Sequence, residues 1–322
     1  GATYGYALLW ALVFSIIATI VLQEMSARLG IIGRTGLGEA LRQEFSSKLG
    51  RIISIVLVIS AIGIGNAAYE TGNILGGALG IEALSGISSV KLFGSSELNL
   101  WGFVIGSIAF ILLFFGNYKI LEKILVGLVI LMSLSFLITL FFLGPNLGEL
   151  LKGIFVPTIP KGAMLKVAGL IGTTVVPYNL FLHAALVQEK WKHPHQLKEA
   201  RADIRISILF GGIISMSIVM TSAIVFYGQH TQITNAADMA IQLEPVLGSW
   251  SKILVGIGLF AAGITSAITA PLAAAYACSG ILGWKKDIKS AKFRLVWLIV
   301  LLTGVIFSTV GFKPLSAILF AQ

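Results

Sequence analysis

The sequence predicts an all-α polytopic membrane protein, and three observations carry that prediction. The 322 residues are 57% hydrophobic and only 11% charged. Apolar stretches of about 18 residues or more, long enough to cross a bilayer as helices, recur along the whole chain. Lys and Arg gather in alternate inter-helix regions, as they do in chains that cross a membrane repeatedly. A water-soluble domain of this composition would lack the polar side chains to cover its surface.

The placement of charge says more than its amount. Of the 23 Lys and Arg, 17 fall in the first, third, fifth and seventh inter-helix regions and 6 in the others. By the positive-inside rule this puts the loops at Arg28 to Arg51, Lys119 to Lys123, Lys190 to Arg205 and Lys285 to Arg294 in the cytoplasm. The net charge of +9 therefore reports topology. It implies no nucleic-acid partner; the partner implied is the lipid bilayer. A single cysteine, Cys278, excludes an intrachain disulfide and a thiolate metal cluster, and is expected to pack as a small helix residue.

In chain order the predicted spans are Tyr4 to Met25, Arg51 to Leu79, Leu98 to Gly116, Ile120 to Leu143, Ala163 to Lys190, Ile204 to Tyr227, Lys252 to Leu282 and Phe293 to Val310. Between the first two, Leu37 to Lys48 alternates Leu37, Ala40, Leu41 and Phe45 with Glu39, Arg42, Gln43 and Glu44, an amphipathic pattern. Asn235 to Val246 reads as a short extracellular helix ended by Pro245. The chain starts at Gly1 directly before an apolar run and stops at Gln322 as another begins, so both ends are expected to be cut. Loop charge sends the first span from outside to inside, which predicts an odd number of helices before it.

The span from Ala163 to Lys190 differs from the others in its centre, Thr173 to Asn179. Pro177 has no amide hydrogen and disfavours helical geometry at Val176, so carbonyls of the preceding turn lose their partners. Within hydrocarbon such groups survive only where protein, water or a ligand satisfies them, and interrupted helices near the bilayer midplane are how many transporters build ion sites. The plainer alternative is a proline kink tolerated by neighbouring hydroxyls.

The run Leu170 to Gln188 resembles the sixth helix of the NRAMP family of divalent-metal transporters, almost without gaps. That family's centre reads Met-Pro-His-Asn followed by Leu-Tyr-Leu-His-Ser-Ala-Leu-Val-Gln; here Pro177, Asn179, His183, Val187 and Gln188 are kept. Val176 stands in place of the metal-binding methionine and Tyr178 in place of the histidine. Leu22 to Gly30 is similar to the family's Leu-Leu-Gln-x-x-Ser-Ala-Arg-Leu-Gly region. The resemblance implies a leucine-transporter-like inverted repeat with a broken sixth helix. It divides the chain into helices 2 to 5 (1–143), an extracellular connection (144–162), and helices 6 to 9 with the start of helix 10 (163–322). Helix 1, with its Asp-Pro-Gly-Asn motif, is not in this sequence.

What the resemblance implies about function follows residue by residue. Metal-site positions fall on Thr173, Thr174, Val176, Tyr178 and Asn179. A thioether favours soft ions such as Mn, Fe or Cd, whereas Val176 offers only hydrocarbon; the remaining oxygen donors suit a harder, partly hydrated cation, and NRAMP-related magnesium transporters also lack the methionine. Glu70 and His183 are the proton-pathway candidates. Glu70 is an intramembrane carboxylate, one place off the family's acidic position, where Asn66 and Tyr69 stand instead; one residue rotates a side chain by about 100° round a helix. Histidine as a residue type titrates near neutrality, so His183 could relay a proton, and either residue could equally be a packing group. Small and hydroxyl residues from Ala261 to Pro271 read as close helix packing or as a polar wall of the ion path.

The expected function is secondary transport of divalent cations of the Mn, Fe or Mg class by alternating access, with proton coupling left open. No covalent chemistry and no cofactor are expected, and the location is the cell membrane of a bacterium or archaeon. The rivals are a sodium- or proton-coupled organic-solute transporter of the same fold and a non-transporting membrane scaffold.

Overall fold

The computed structural model describes residues 1–45, 47–87, 90–91, 97–116, 119–229, 233, 236–285 and 287–310. Every span expected from the sequence is helical. The first is α1 (Leu9–Ile31), followed by the amphipathic α2 (Leu37–Glu44), then α3 (Lys48–Ser85), α4 (Leu100–Phe115) and α5 (Lys119–Leu143). A short α6 (Leu147–Phe155) precedes the interrupted pair α7 (Met164–Thr174) and α8 (Pro177–Lys190). Next come α9 (Leu197–Phe226), the small α10 (Ala236–Ala240) and α11 (Glu244–Leu247), and finally α12 (Trp250–Leu282) and α13 (Ala291–Thr309). Among the described residues seven helical segments, α7 and α8 counting as one, are long and apolar enough to cross a membrane, and α4 is a shorter apolar helix. Large apolar side chains such as Phe141, Leu165 and Ile120 face outward, so the surface of this bundle is built for lipid. The protein is an integral, multi-pass membrane protein.

The helices pair in a way that an inverted repeat requires. If a two-fold axis in the membrane plane relates two halves, each helix meets its counterpart antiparallel. Three such pairs are present. α1 runs against α9, with Glu24 bonded to Arg201 at one end, Ile16 seated on Gly212 and Leu9 beside Met220. α3 runs against α12, from Ile62 near Ala274, through Asn66 at the Ala270 carbonyl, to Gly80 at Phe260. α4 runs against α13, where Phe110 meets Trp297 at 5.9 Å and Gly106 accommodates Val305. The counterpart of α5 was expected to start near the end of the chain, which lies outside the described residues.

The α3–α12 pair is the tightest. A Cβ on Gly263 would collide with the backbone of Gly77, so two glycines let the main chains approach as lipid-embedded helices do when no bulky side chain intervenes. Asn66 donates its amide to the Ala270 carbonyl at 2.8 Å across the same interface. The main apolar core spreads from here, joining Ile74 of α3, Ile264 and Ile268 of α12, Ile105 of α4 and Trp297 of α13. Cys278 is a free, buried packing residue.

Several expectations are corrected. α1 ends at Ile31 rather than Met25, and α9 starts at Leu197 rather than Ile204. The added turns carry Arg28, Lys198, Glu199 and Arg201, which are helical but polar, and hydropathy marks only the part inside hydrocarbon. α6 was not expected; Asn146 caps it by accepting from the Gly148 and Glu149 amides, and Gly153 rests against Tyr6. Pro245 lies in the first turn of the one-turn α11 instead of ending a helix, because proline suits a first turn whose amide is unpaired anyway; residue 235 of that segment lies outside the described residues. Val90–Lys91 and Glu97–Leu98 form a minute antiparallel ribbon in an otherwise helical chain.

Candidate ion site at a broken helix

The span expected from Ala163 to Lys190 is broken, and the break is short. α7 keeps helical bonding until the Val175 amide reaches the Ile171 carbonyl at 2.9 Å, Val176 is extended with ψ 121°, and α8 restarts at Pro177. The unwound stretch is thus Val175 and Val176, narrower than the Thr173 to Asn179 expected. Thr173 and Thr174 stay within α7, and their hydroxyls donate back to the Leu170 carbonyl at 3.0 and 3.1 Å, so both are satisfied inside the helix.

Carbonyls released at the break are received by other helices. Tyr69 of α3 donates its hydroxyl to the Gly172 carbonyl at 3.0 Å, and the Thr19 hydroxyl of α1, which donates to its own Ser15 carbonyl at 2.7 Å, is shared with the Thr174 carbonyl at 3.3 Å. The Thr173 carbonyl would pair with residue 177 in a continuous helix, and proline has no hydrogen to give. Tyr69 also packs edge-on to Tyr178, ring centroids 5.7 Å apart at 74°, so both faces of the break are fixed by one α3 side chain.

Beside the break lies a cavity of about 340 Å³ between α3, α7–α8 and α12. Thr173, Val176 and Tyr178 line it from the broken helix, Tyr69, Gly72, Asn73 and Gly76 from α3, and Ala262, Gly263 and Ser266 from α12. Thr174 and Asn179 were also expected in the site and are not among its lining residues. The polar atoms that face it belong to hydroxyl and amide side chains and to main chain. Among the described residues no group of three or more His, Cys, Asp or Glu stands ready to hold a metal ion.

The two proton-pathway candidates sit apart from this chamber. Glu70 is fully buried on the opposite side of α3, where a Cβ on Gly304 of α13 would strike its side chain. Its Oε2 accepts from Asn73 Nδ2 at 3.4 Å while Oε1 is unpartnered, so Asn73 alone joins it to the chamber wall. His183 lies on α8 one turn beyond Asn179 and one before Val187, which packs with Ala27 and Ile31 of α1; its Nε2 is buried without a partner. Neither lines the cavity. The sequence put Tyr69 at one of the family's acidic positions without giving its hydroxyl a role, and it did not single out Asn73. The usable signal was spacing, since Tyr69, Asn73 and Gly76 share one helical face.

On the α12 side the small-residue run divides between two faces. Ala267 and Ala270 are buried against neighbouring helices, and Thr265 donates back to the Ala261 carbonyl at 2.9 Å, whereas Ala262 and Ser266 line the chamber.

Antiparallel pairing of counterpart helices around an interrupted one defines a leucine-transporter-like membrane protein. A profile described as "Natural resistance-associated macrophage protein-like" matches residues 1–322, and the chain belongs to that Nramp family. It is 27% identical over 289 residues to the divalent metal cation transporter MntH of Erwinia tasmaniensis, covering 88% of this chain and 67% of that one. The MntH of Caldanaerobacter subterraneus subsp. tengcongensis is 29% identical over 331 residues, covering 100% of this chain and 74% of its own. Among solved structures, the manganese transporter of Eremococcus coleocola superposes with a TM-score of 0.69 at 20% identity, over 94% of this chain and 63% of that one. The chain thus spans about two thirds of the length of such relatives.

Proposed function

We propose that this chain carries most of a secondary transporter that moves divalent cations across the membrane by alternating access, with the substrate held at the break between α7 and α8. The observation that supports this most is the junction itself: an interrupted helix whose Thr173 carbonyl has lost its partner, beside a chamber walled by Thr173, Tyr178, Asn73 and Ser266. Family membership and relatives named as divalent metal cation transporters support the same reading. Neutral oxygen donors favour a hard, partly hydrated ion, because a doubly charged cation stripped of water needs carboxylates to offset its desolvation.

Val176 sets the selectivity. It is buried and lines the chamber, which supports placing its side chain toward the ion. Full-length protein in proteoliposomes should take up Mg and Mn with little discrimination. Val176→Met should raise competition by Mn or Cd against Mg by about tenfold, the effect of roughly 1.4 kcal/mol from one thioether contact. Unchanged competition in a well-folded Val176→Met variant would remove position 176 from the site. Uptake of an organic solute in place of either ion would favour the solute-transporter rival, and no uptake at all the scaffold.

Proton coupling is weak in this reading, because Asn66 and Tyr69 occupy the positions where the family carries acids and both are engaged with carbonyls. Lumenal pH measured under a metal gradient should change little. Robust proton flux that vanishes in His183→Ala but survives Glu70→Gln would overturn this and assign the route to α8.

A further inference from the structure

Where α1 ends and α9 begins, at the end of the bundle that carries the basic loops, the two helices do not close flush. A cavity of about 240 Å³ remains, lined by Ile20, Val21, Glu24, Arg201, Ile204 and Arg205. Its charges do not balance. Glu24 is gripped from both sides, by Arg28 at 2.6 Å and by Arg201 at 2.7 Å, so one carboxylate answers two guanidinium groups. Arg201 spends Nε and Nη2 on the same carboxylate oxygen, and its side chain stays 41% exposed.

Arg205 is one turn further into α9 and makes no ion pair among the described residues. The other carboxylate nearby on α9, Asp203, is held by Lys190 at 3.0 Å, and Glu199 is not among the lining residues. Immediately beyond Arg205 the helix turns apolar, and Ile206, Leu209 and Phe210 are exposed; across the groove Ile17 and Val21 of α1 are exposed too. An arginine at the head of two lipid-facing stripes stands where headgroups meet acyl chains. A net positive groove at that depth draws anionic lipid, each basic side chain near the surface adding about 1 kcal/mol.

We propose that this groove binds one anionic phospholipid, its phosphate held by Arg205 and the free edge of Arg201 and its acyl chains lying along Ile17, Val21 and Leu209. The apolar floor is what selects a lipid over a free anion, since inorganic phosphate gains nothing from it. Because α1 and α9 are counterparts in the two repeats, the lipid would bridge both halves of the bundle beside the Glu24 clamp. This inference is independent of which ion the protein carries.

The test uses full-length protein in a neutral detergent, with phosphatidylglycerol, phosphatidylcholine or inorganic phosphate added, read by native mass spectrometry and thermal unfolding. Wild type should retain phosphatidylglycerol selectively and melt higher with it. Arg205→Gln should lower phosphatidylglycerol occupancy about fivefold, the factor one juxtamembrane arginine supplies, and Arg205→Lys should restore part of it. As a check that needs no variant, raising ionic strength on wild type should release the lipid. Equal retention of phosphatidylcholine, stabilisation by inorganic phosphate alone, salt-insensitive binding, or undiminished phosphatidylglycerol in a folded Arg205→Gln protein would each overturn the assignment.

Discussion

Among the described residues two prolines, Pro177 and Pro271, stand deep inside apolar membrane spans, and only one of them breaks its helix. Pro177 separates α7 from α8, whereas α12 runs through Pro271 without interruption. Both remove a donor from the carbonyl four residues back and both push the preceding residue away from helical geometry. The difference is in what comes before and what lies beside. Pro177 follows four β-branched residues, Thr173 to Val176, while Pro271 follows Ala270 and leads into Ala273, Ala274 and Ala275. Thr173 and Thr174 stay helical, so only Val175 and Val176 count toward the break, and at about 0.5 kcal/mol per residue relative to alanine they tilt the balance against helix by about 1 kcal/mol. Partners then decide the form of the break. The Gly172 carbonyl is received by Tyr69 and the Thr174 carbonyl shares the Thr19 hydroxyl with Ser15, whereas α12 is held against α3 through Gly77, Gly263 and the bond from Asn66.

The contrast can be broken most severely at the pinned helix. Gly263→Leu would wedge a side chain into the backbone of Gly77, and overpacking where nothing can give costs about 3 kcal/mol. Monodisperse protein should be lost in size-exclusion chromatography. Gly76→Leu, on the chamber side of α3 where a Cβ meets nothing within 4 Å, should instead fold and abolish transport by filling the cavity. A stable Gly263→Leu protein would show that α3 and α12 are not the fixed pair.

Exchanging the prolines comes next in size. Pro177→Ala lets the chain restore the bond to the Thr173 carbonyl, and on the proposed site withdrawing that carbonyl into the helix should slow uptake about tenfold, or about 1.4 kcal/mol. Pro271→Ala should leave uptake intact and shift stability by less than about 1 kcal/mol, since α12 is already helical there. Wild-type uptake by Pro177→Ala would mean that β-branching and the carbonyl caps hold the break without proline.

How much of this was legible beforehand follows the same physics. Eight spans could be read because length and hydropathy are properties of each segment alone, and the break because Pro177 is local. The overestimate of its length came from spreading one local defect over the whole motif, whereas Thr173 and Thr174 remain in α7 and Pro177 to Asn179 already belong to α8. The caps on the freed carbonyls were beyond reach: Tyr69 and Gly172 are 103 residues apart, Thr19 and Thr174 155, and no local pattern links them. Glu70 stood out as an expensive intramembrane carboxylate, but which way it faces depends on Gly304, which only the packed α13 supplies.

The smallest expected effect separates the two regions most sharply. Tyr69→Phe removes one hydroxyl and keeps the ring against Tyr178, so the loss is the bond to the Gly172 carbonyl alone. Interhelical hydrogen bonds in membranes average about 0.6 kcal/mol, which is a melting shift of about 2 °C or less. If that bond holds the break in its working shape, the same 0.6 kcal/mol should appear in the transport barrier as about a threefold slower uptake. Asn66→Leu deletes a comparable bond from the α3–α12 interface and should do the reverse, lowering the melting temperature by a similar amount with uptake unchanged. Stopped-flow uptake and thermal unfolding on both variants decide it. Matching losses of rate and stability in the two would mean that the bond at Gly172 is ordinary helix packing, and the chamber would lose Tyr69 as the residue that shapes its wall.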